Sequence, residues 1–223
     1  MRSTSRNRDK SLIVISSPEK VRNEVEAIQR LFKLGLTKFH LRKPGWKYHE
    51  VKNLLQEIHQ AYHPLIILHN HYELVKKYGL KGIHLTNHTK NSYAEEEFKD
   101  HHISISTHTL KEVQSLSSSY DYAFISPVFE SISKKGYKPA VSVSKLSEQF
   151  EKRLLPTKLI ALGGVKPDNL KQLQHTPFDG YAVLGYLWED YKNDHDIQKI
   201  EHKFITLKST IYEQYNKYPG VFL

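Results

Sequence analysis

The feature that most constrains the fold is the alternation of short apolar segments with segments of helical periodicity. Eight apolar runs have the composition of buried strands, and helical or polar segments separate them. The runs are residues 12–16, 38–41, 65–68, 82–85, 103–106, 122–125, 159–162 and 181–184. Strands that alternate with helices form parallel sheets, and eight such units predict an α/β fold of the (β/α)8 TIM-barrel type. A doubly wound open sheet is the alternative fold, but no GxGxxG follows the first run, which disfavours a dinucleotide-binding version and hence a nucleotide cofactor.

Apolar spacing predicts where the helices lie. The predicted helices are residues 19–33, 48–62, 71–78, 109–116, 143–153 and 188–218, the last interrupted near 193–194. A long loop is predicted over residues 126–140. Because no linker rich in Gly, Ser or Pro divides the chain, we expect one domain over residues 11–223 and a disordered, basic extension over residues 1–10.

Composition excludes several classes of function. The 223-residue chain has no cysteine, which excludes disulfides, thiolate metal sites and cysteine nucleophiles. No apolar run approaches the roughly 18 residues that cross a bilayer, and the N-terminus lacks the apolar core of a signal peptide. We therefore expect a cytoplasmic protein without a membrane partner. The net charge of +9 is scattered along the chain, so we expect phosphorylated small molecules rather than nucleic acid as partners.

The 14 histidines do not have the spacing of a metal site. No HExxH motif occurs, and His69 and His71 are alternating residues whose side chains should diverge. From the residues alone we predict no metal ligands.

Two successive strands end in glycines, which suits phosphate binding. Gly163 and Gly164 follow the seventh apolar run, and Gly185 closes the eighth, after Val183 and Leu184. Glycine lets backbone amides approach a ligand closely, and the loops after the last two strands of a TIM barrel often hold phosphate. A tight strand-to-helix turn is the alternative interpretation of either pair taken alone.

Residues just past the strand ends converge at one mouth of a barrel. This mouth would be cationic, hydroxylic and rich in amides, without a carboxylate, which suits phosphate or pyrophosphate. Arg42 could clamp a phosphate, Lys134 could neutralise a leaving pyrophosphate, and His108 could act as a general acid or base. We expect His84 to have a structural role inside the barrel. The other predicted binding residues are His40, Lys43, His69, Asn70, Ser106, Ser131, Ser133, Gly163, Gly164, Val183, Leu184 and Gly185.

Five motifs in succession resemble the thiamine phosphate synthase family, which includes the related thiazole tautomerases. They are HLRKP (40–44), LHNHYELVKKYGLKGIHL (68–85), SISTHTLKEV (104–113), DYAFISPVFESISKKG (121–136), and ALGGVKPDN (161–169) with DGYAVLGYLW (179–188). The resemblance implies a (β/α)8 barrel that joins a hydroxymethylpyrimidine pyrophosphate to a thiazole phosphate, with Mg²⁺ and release of pyrophosphate.

The resemblance also assigns roles to individual residues. Arg42 matches the family arginine that binds pyrophosphate, and Lys134 the lysine of a threonine–x–threonine–lysine loop in which Ser131 and Ser133 replace the threonines. Ser106 matches the serine beside the pyrimidine. His108 matches the acid/base of the tautomerase branch. The thiazole-phosphate site corresponds to Gly164 and the backbone of Val183 and Leu184.

Several positions depart from the family pattern. His40 replaces a glutamine, Pro44 replaces a lysine for which Lys43 could substitute, and His69–Asn70 replaces an Asn-Asp pair. Thr89 falls at the position of the second magnesium aspartate. A site without these carboxylates should hold Mg²⁺ weakly. The synthase is therefore the leading hypothesis, and a metal-independent thiazole tautomerase and a non-catalytic binder of thiamine phosphates remain open.

Oligomeric state is not determined by the sequence. Tyr212, Tyr215, Tyr218 and Phe222 would permit a homodimer contact without requiring one.

Overall fold

A computed structural model describes residues 10–91, 95–130, 155–174, 176 and 178–217. Within them, eight parallel strands close into a barrel in sequential order, β1 to β8, and β1 pairs with β8. The predicted (β/α)8 barrel is thereby confirmed, and the open-sheet alternative is wrong. The loop from residue 131 onward, the predicted helix 143–153 and nearly all of the predicted N-terminal extension lie outside the described residues.

Each strand begins and ends within one residue of the apolar run that predicted it. They are β1 Ser11–Ile15, β2 Phe39–Leu41, β3 Ile66–Leu68, β4 Gly82–Leu85, β5 His102–Thr107, β6 Tyr122–Ile125, β7 Lys158–Leu162 and β8 Gly180–Val183. β8 begins at Gly180 because that residue pairs with Ser11, and a Cβ there would lie 2.3 Å from the Ser11 carbonyl oxygen. Only glycine allows the backbones this approach.

The described helices largely overlap the predicted helical segments, most of them with shorter bounds, except that one begins at Gly185 rather than at residue 188. They are α1 Glu24–Lys33, α2 Tyr48–Glu57, α3 Glu73–Tyr78, α4 Leu110–Gln114, α5 Pro167–Leu170, α6 Gly185–Asp194 and α7 Ile197–Lys217; 3₁₀ turns span Gln60–Leu65, Glu95–Phe98 and Lys171–Leu173. The prediction that the first helix starts at residue 19 was wrong, because Asn23 has a left-handed backbone (φ 55°) that separates the preceding loop from α1. The predicted terminal interruption is confirmed by His195, at φ 52°. Among the described residues, no helix is both long enough and apolar enough to cross a bilayer.

Strand alternation divides the apolar residues into two clusters. One fills the barrel interior with Ile13, Ile15, Ile67, Tyr122, Phe124, Ile160 and Ala182. The other lies between the outer face of the strands and the helices, where Trp188 of α6 is fully buried. Its indole Nε1 donates a hydrogen bond of 2.7 Å to the carbonyl of Ile15. This bond fixes the beginning of α6 against the carboxyl end of β1.

A buried ion pair ties the loop after β2 to α1. The Lys43 ammonium lies 2.6 Å from both carboxylate oxygens of Glu24 and donates to the Glu19 carbonyl at 2.8 Å. The side chains of the pair are 0% and 3% exposed. Burial raises the pKa of Glu24 and lowers that of Lys43, and each charge opposes the shift of its partner. The pair satisfies two charges that neither residue could bury alone.

Breaking this ion pair should be far more costly than breaking an exposed one. We expect Glu24→Leu to lower the free energy of unfolding by about 3 kcal/mol, because it leaves the Lys43 ammonium buried without a counter-charge. The double variant Glu24→Leu/Lys43→Met should recover a large part of that loss. Urea denaturation measures both. As a control, Glu96→Gln removes the surface ion pair with Lys99 and should change stability by less than about 1 kcal/mol; equal losses in the two single variants would contradict the prediction.

Candidate functional site

The carboxyl ends of the strands bring together predicted site residues from both halves of the barrel. Parallel strands deliver these residues to one mouth, as expected for a TIM barrel. His40 and His84 lie on β2 and β4, His69 directly follows β3, and Ser106 lies on β5. Their side chains form a polar region on the β2–β5 side of the barrel interior, opposite the mainly apolar side chains of β6–β8 and β1.

Three imidazoles form the centre of this region. His40 Nδ1 lies 3.0 Å from His69 Nε2. The His69 and His84 rings stack at a centroid distance of 4.3 Å, and His40 contacts both rings edge-on at 5.1 Å. His40 and His84 are fully buried, while His69 is partly exposed at the top of the cluster. His40 therefore lies behind the surface of the mouth, and His69 forms part of that surface.

Hydroxyl groups of neighbouring side chains contact ring nitrogens and thereby orient two of the three rings. Tyr122 Oη lies 2.7 Å from His40 Nε2. Ser104 and Ser106 Oγ each lie 2.8 Å from a ring nitrogen of His84. These contacts are consistent with the expected structural role of His84 inside the barrel. His84 also lies next to the mouth, because its ring stacks on the His69 ring.

The cluster is uncharged at neutral pH. Burial lowers the pKa of His84 to about 3, and the Arg42 charge adds to this effect. Burial also lowers the pKa of His40 and His69 well below the ordinary value, with further lowering from the neighbouring histidines. The three rings consequently act as neutral donors and acceptors.

Arg42 provides positive charge at the rim. Its backbone is held by Ser16, whose Oγ accepts from the Arg42 amide at 2.9 Å and donates to its carbonyl at 3.0 Å. The half-buried guanidinium is close enough to His69 and His84 to lower their pKa. Among the described residues, no carboxylate lies within ion-pair distance of it. Arg42 is therefore available for an anionic ligand.

The prediction that Lys43 contacts substrate is wrong for its ammonium group. The side chain is fully buried and paired with Glu24, as described above. Adjacent residues diverge at the end of β2, so Arg42 serves the mouth while Lys43 serves the loop–helix contact. The sequence alone does not show where in the fold the counter-charge of a basic residue will lie.

The positions at which the family carries its magnesium aspartates do not fit a carboxylate-held Mg²⁺. Asn70 Oδ1 is buried and has no hydrogen-bond partner among the described residues, while Asn70 Nδ2 donates to the Lys43 carbonyl at 3.3 Å. Thr89 Oγ1 accepts from the Thr86 amide at 2.9 Å, so its hydroxyl is already engaged in a turn. One amide oxygen is a poor substitute for the carboxylates that a protein Mg²⁺ site uses.

The glycine loop after β7 is closely packed against the loop after β6. Gly163 and Gly164 have φ of 97° and 66°, and a Cβ on Gly164 would lie 2.3 Å from the Glu130 carbonyl oxygen. The Gly163 carbonyl accepts from Phe129, and the Gly164 carbonyl accepts from Asn169. Both carbonyls are bound inside the protein, so among the described residues the amide N–H groups are the polar backbone atoms that remain for a ligand.

The end of β8 places a helix N-terminus beside this loop. Val183 is buried in β8, Leu184 is partly exposed, and Gly185 opens the ten-residue helix α6. The first amides of a helix lack intrahelical partners and favour anions. The two glycine-ended strands thus meet at the same end of the barrel as Arg42.

His108 lies at the mouth in a defined orientation. It is exposed directly after β5, and its Nδ1 lies 2.9 Å from the Ser126 carbonyl oxygen. Because a carbonyl only accepts, Nδ1 carries the proton in this contact and Nε2 of the neutral ring is left with a lone pair. Glu112 binds the His108 amide and fixes the backbone. The predicted residues Ser131, Ser133 and Lys134 lie outside the described residues.

A cavity lies at the opposite end of the barrel. This cavity of about 940 Å³ is lined by residues at the amino ends of strands, among them Lys38, Tyr122 and Lys158, and by Phe204 of α7. We place the functional site at the carboxyl end because the convergent polar groups are there and because TIM-barrel enzymes use that face.

Sequence reasoning missed Tyr122 and Ser104, which hold the histidines in place. Both are buried residues within apolar strands. The available signal was the alternation of side chains along a strand, since Tyr122 lies two residues before Phe124 and shares its inward face of β6.

Substitution of Gly164 should test the close approach of the two loops. We expect Gly164→Ala to lower the free energy of unfolding by about 2 kcal/mol or more, because it adds both left-handed strain and overlap with Glu130 and Phe129. Gly45→Ala is the control: Gly45 has φ 79° but nothing within 4 Å of a Cβ, so only the strain of about 1 kcal/mol applies. Equal losses on urea denaturation would disprove the close approach.

Acid should destabilise the protein through the buried histidines. The folded-state pKa of His84, about 3, is below its ordinary value of 6.5. The unfolded chain therefore binds more protons between these values, and stability should fall as pH drops below about 6.5, by about 1.4 kcal/mol per pH unit for this residue. Thermal unfolding should show a shallower acid limb in His84→Asn, whereas exposed His49→Asn should retain the wild-type slope. Identical slopes in both variants and the wild type would refute this origin.

Comparison with known proteins identifies relatives that share this architecture. The family model described as thiamine monophosphate synthase matches residues 12–187. A structure of thiamine phosphate pyrophosphorylase from Bacteroides thetaiotaomicron is 31% identical, with a TM-score of 0.75 over 90% of this chain and 96% of that one. A thiamine-phosphate synthase of Caldicellulosiruptor bescii is 27% identical over 199 residues, which are 84% of this chain and 86% of the relative. A thiamine-phosphate synthase of Lysinibacillus sphaericus is 25% identical over 170 residues, which are 73% and 79% of the two chains.

More distant structures share only the fold. The tryptophan synthase alpha subunit of Legionella pneumophila superposes with a TM-score of 0.64 over 92% of this chain and 93% of that one, at 13% identity. The family model covers most of the chain, from the first strand to the start of α6. The chain belongs to the thiamine monophosphate synthase family.

Proposed function

We propose that this protein is a transferase of thiamine biosynthesis that couples hydroxymethylpyrimidine pyrophosphate to thiazole phosphate and releases pyrophosphate. The observation that carries the proposal is the presence, at one mouth, of a guanidinium without a carboxylate partner among the described residues, together with a glycine loop and a helix N-terminus. These groups offer two anion sites in a chain that belongs to this synthase family. Two phosphorylated substrates require such a pair.

Arg42 is assigned to the pyrophosphate. When the bond between the pyrimidine methylene and the pyrophosphate oxygen breaks, negative charge develops on the leaving group and positive charge on the methylene. A fixed guanidinium stabilises the developing anion without reorganisation. The thiazole nitrogen then attacks the methylene. Lys134, Ser131 and Ser133, which the family resemblance assigns to the same pyrophosphate, are part of this proposal, although they lie outside the described residues.

The glycine loop is assigned to the thiazole phosphate. The amides of Gly163 and Gly164, and those at the start of α6 after Val183 and Leu184, would hold the phosphate oxygens. His69, Asn70 and Ser106 line the opposite side, where the pyrimidine would lie, with His40 behind them. The two rings would then meet at the centre of the mouth.

Mg²⁺ is generally used by the family, and the role of a metal here differs from the family pattern. Asn70 and Thr89 do not provide the carboxylates that would hold Mg²⁺ on the protein. Any Mg²⁺ that arrives with pyrophosphate would depend on phosphate and water oxygens. We therefore assign charge stabilisation to Arg42 and, from the resemblance, to Lys134.

A thiazole tautomerase is the second candidate, supported by the orientation of His108. The contact with the Ser126 carbonyl leaves the exposed Nε2 as an acceptor. A histidine in this form can take a proton from a substrate carbon and return it to another. This reaction needs no metal, in agreement with the missing carboxylates.

An assay with both synthase substrates and Mg²⁺ tests the leading proposal. We expect wild-type protein to form thiamine phosphate, and Arg42→Gln to lower kcat by about 100-fold, because it removes the charge opposite the leaving group. Arg30→Gln is the matched control, since Arg30 lies on the outer surface of α1. Wild-type protein that binds both substrates but forms no product would overturn the synthase proposal.

The second candidate has its own outcome. If no synthase product forms, the wild-type protein is tested for isomerisation of a thiazole carboxylate phosphate. Isomerisation by the wild type that is lost in His108→Asn would identify a tautomerase. Binding of these phosphates without either reaction would identify a non-catalytic binder.

A further inference from the structure

The His40–His69–His84 cluster has a feature that neither phosphate binding nor the proposed coupling reaction requires. His40 and His84 lie on two strands and His69 directly follows a third, and one nitrogen of each imidazole lies within 4.8 Å of the other two. Burying three imidazoles costs free energy, since each ring carries a donor and an acceptor that need hydrogen-bond partners. Two of the three rings replace the glutamine and asparagine that the family pattern has at these positions.

One nitrogen–nitrogen distance in the cluster is close to that of a zinc centre. Zn–N bonds of 2.0–2.1 Å in a tetrahedral arrangement place the ligand nitrogens about 3.3 Å apart. His40 Nδ1 and His69 Nε2 are 3.0 Å apart, which approaches this value. The remaining nitrogen, on His84, lies within 4.8 Å of both. Because both ring nitrogens of His84 contact serine hydroxyls, ligation by His84 would require it to give up one of these two contacts.

The surroundings resemble those of metal-bound histidines. A ligating imidazole uses its second nitrogen for a hydrogen bond that fixes the ring. Tyr122 Oη is in that position for His40, at 2.7 Å from Nε2. Ser104 and Ser106 each contact a ring nitrogen of His84, so one of them remains as a partner when the other contact is released.

We propose that His40, His69 and His84 form a binding site for a divalent transition metal of the zinc class. Three imidazoles without a carboxylate favour Zn²⁺ or Co²⁺ over Mg²⁺. Because His69 is partly exposed at the mouth, we expect water or a ligand atom that enters from the mouth to take the fourth coordination position. The proposal does not depend on which reaction the protein catalyses, since metal binding is measured without substrate.

Metal titration of the tag-free, full-length protein tests this site. After removal of metals with a chelator, Co²⁺ should bind with one-to-one stoichiometry and give the visible ligand-field absorption of a tetrahedral nitrogen site. Zn²⁺ should displace it, and calorimetry should show the same stoichiometry. Absence of stoichiometric binding in the folded wild-type protein would overturn the proposal.

Variants locate the metal. His69→Asn and His40→Gln, which restore the residue types of the family pattern, should each abolish the Co²⁺ absorption while circular dichroism shows retained structure. Tyr122→Phe keeps all three ligands and should weaken binding by about 10-fold to 100-fold, because it removes only the ring-orienting hydroxyl. Exposed His49→Ala should bind like the wild type. Undiminished binding in both His40→Gln and His69→Asn would place the metal elsewhere and refute the proposal.

Discussion

Closure of the barrel is the constraint on which the rest of the structure depends. Once β8 pairs with β1, every second side chain of each strand points into a narrow, water-poor interior. Apolar side chains fill one side of that interior, but β2 to β5 contribute His40, His84 and Ser104. Buried polar groups need partners, and in this space they find them in one another. The imidazole cluster is a direct consequence.

The same closure separates a buried, paired charge from a charge at the rim of the barrel. Arg42 and Lys43 are neighbours in sequence, yet Lys43 is paired with Glu24 in the interior while Arg42 remains at the rim. The buried pair fixes the loop that carries Arg42. A charge that is held by structure and has no carboxylate partner among the described residues is suited to binding an anion. Within the described residues, the mouth therefore combines a rigid frame with a cation that has no carboxylate partner, as the proposed stabilisation of a leaving pyrophosphate requires.

Much of the fold could be predicted from local pattern. The apolar runs predicted all eight strands to within one residue at each end, because buried parallel strands are continuously apolar. The first helix starts later than predicted because the left-handed Asn23 precedes it. The candidate site could be predicted only as a set of residues near one mouth. Which of them are accessible depends on partners distant in sequence, as the buried Lys43 demonstrates.

The sequence by itself determined the barrel, the gathering of the candidate site residues at the carboxyl ends of its strands, and the glycine loop after β7. These properties follow from periodicity and from backbone conformations that only glycine adopts easily, both of which are local. Tertiary structure alone decided that His40, His69 and His84 meet, since residues from three strands have no recognisable spacing along the chain. The same holds for Tyr122, which contacts a histidine 82 residues away. Contacts of this kind arise only from the register and closure of the strands.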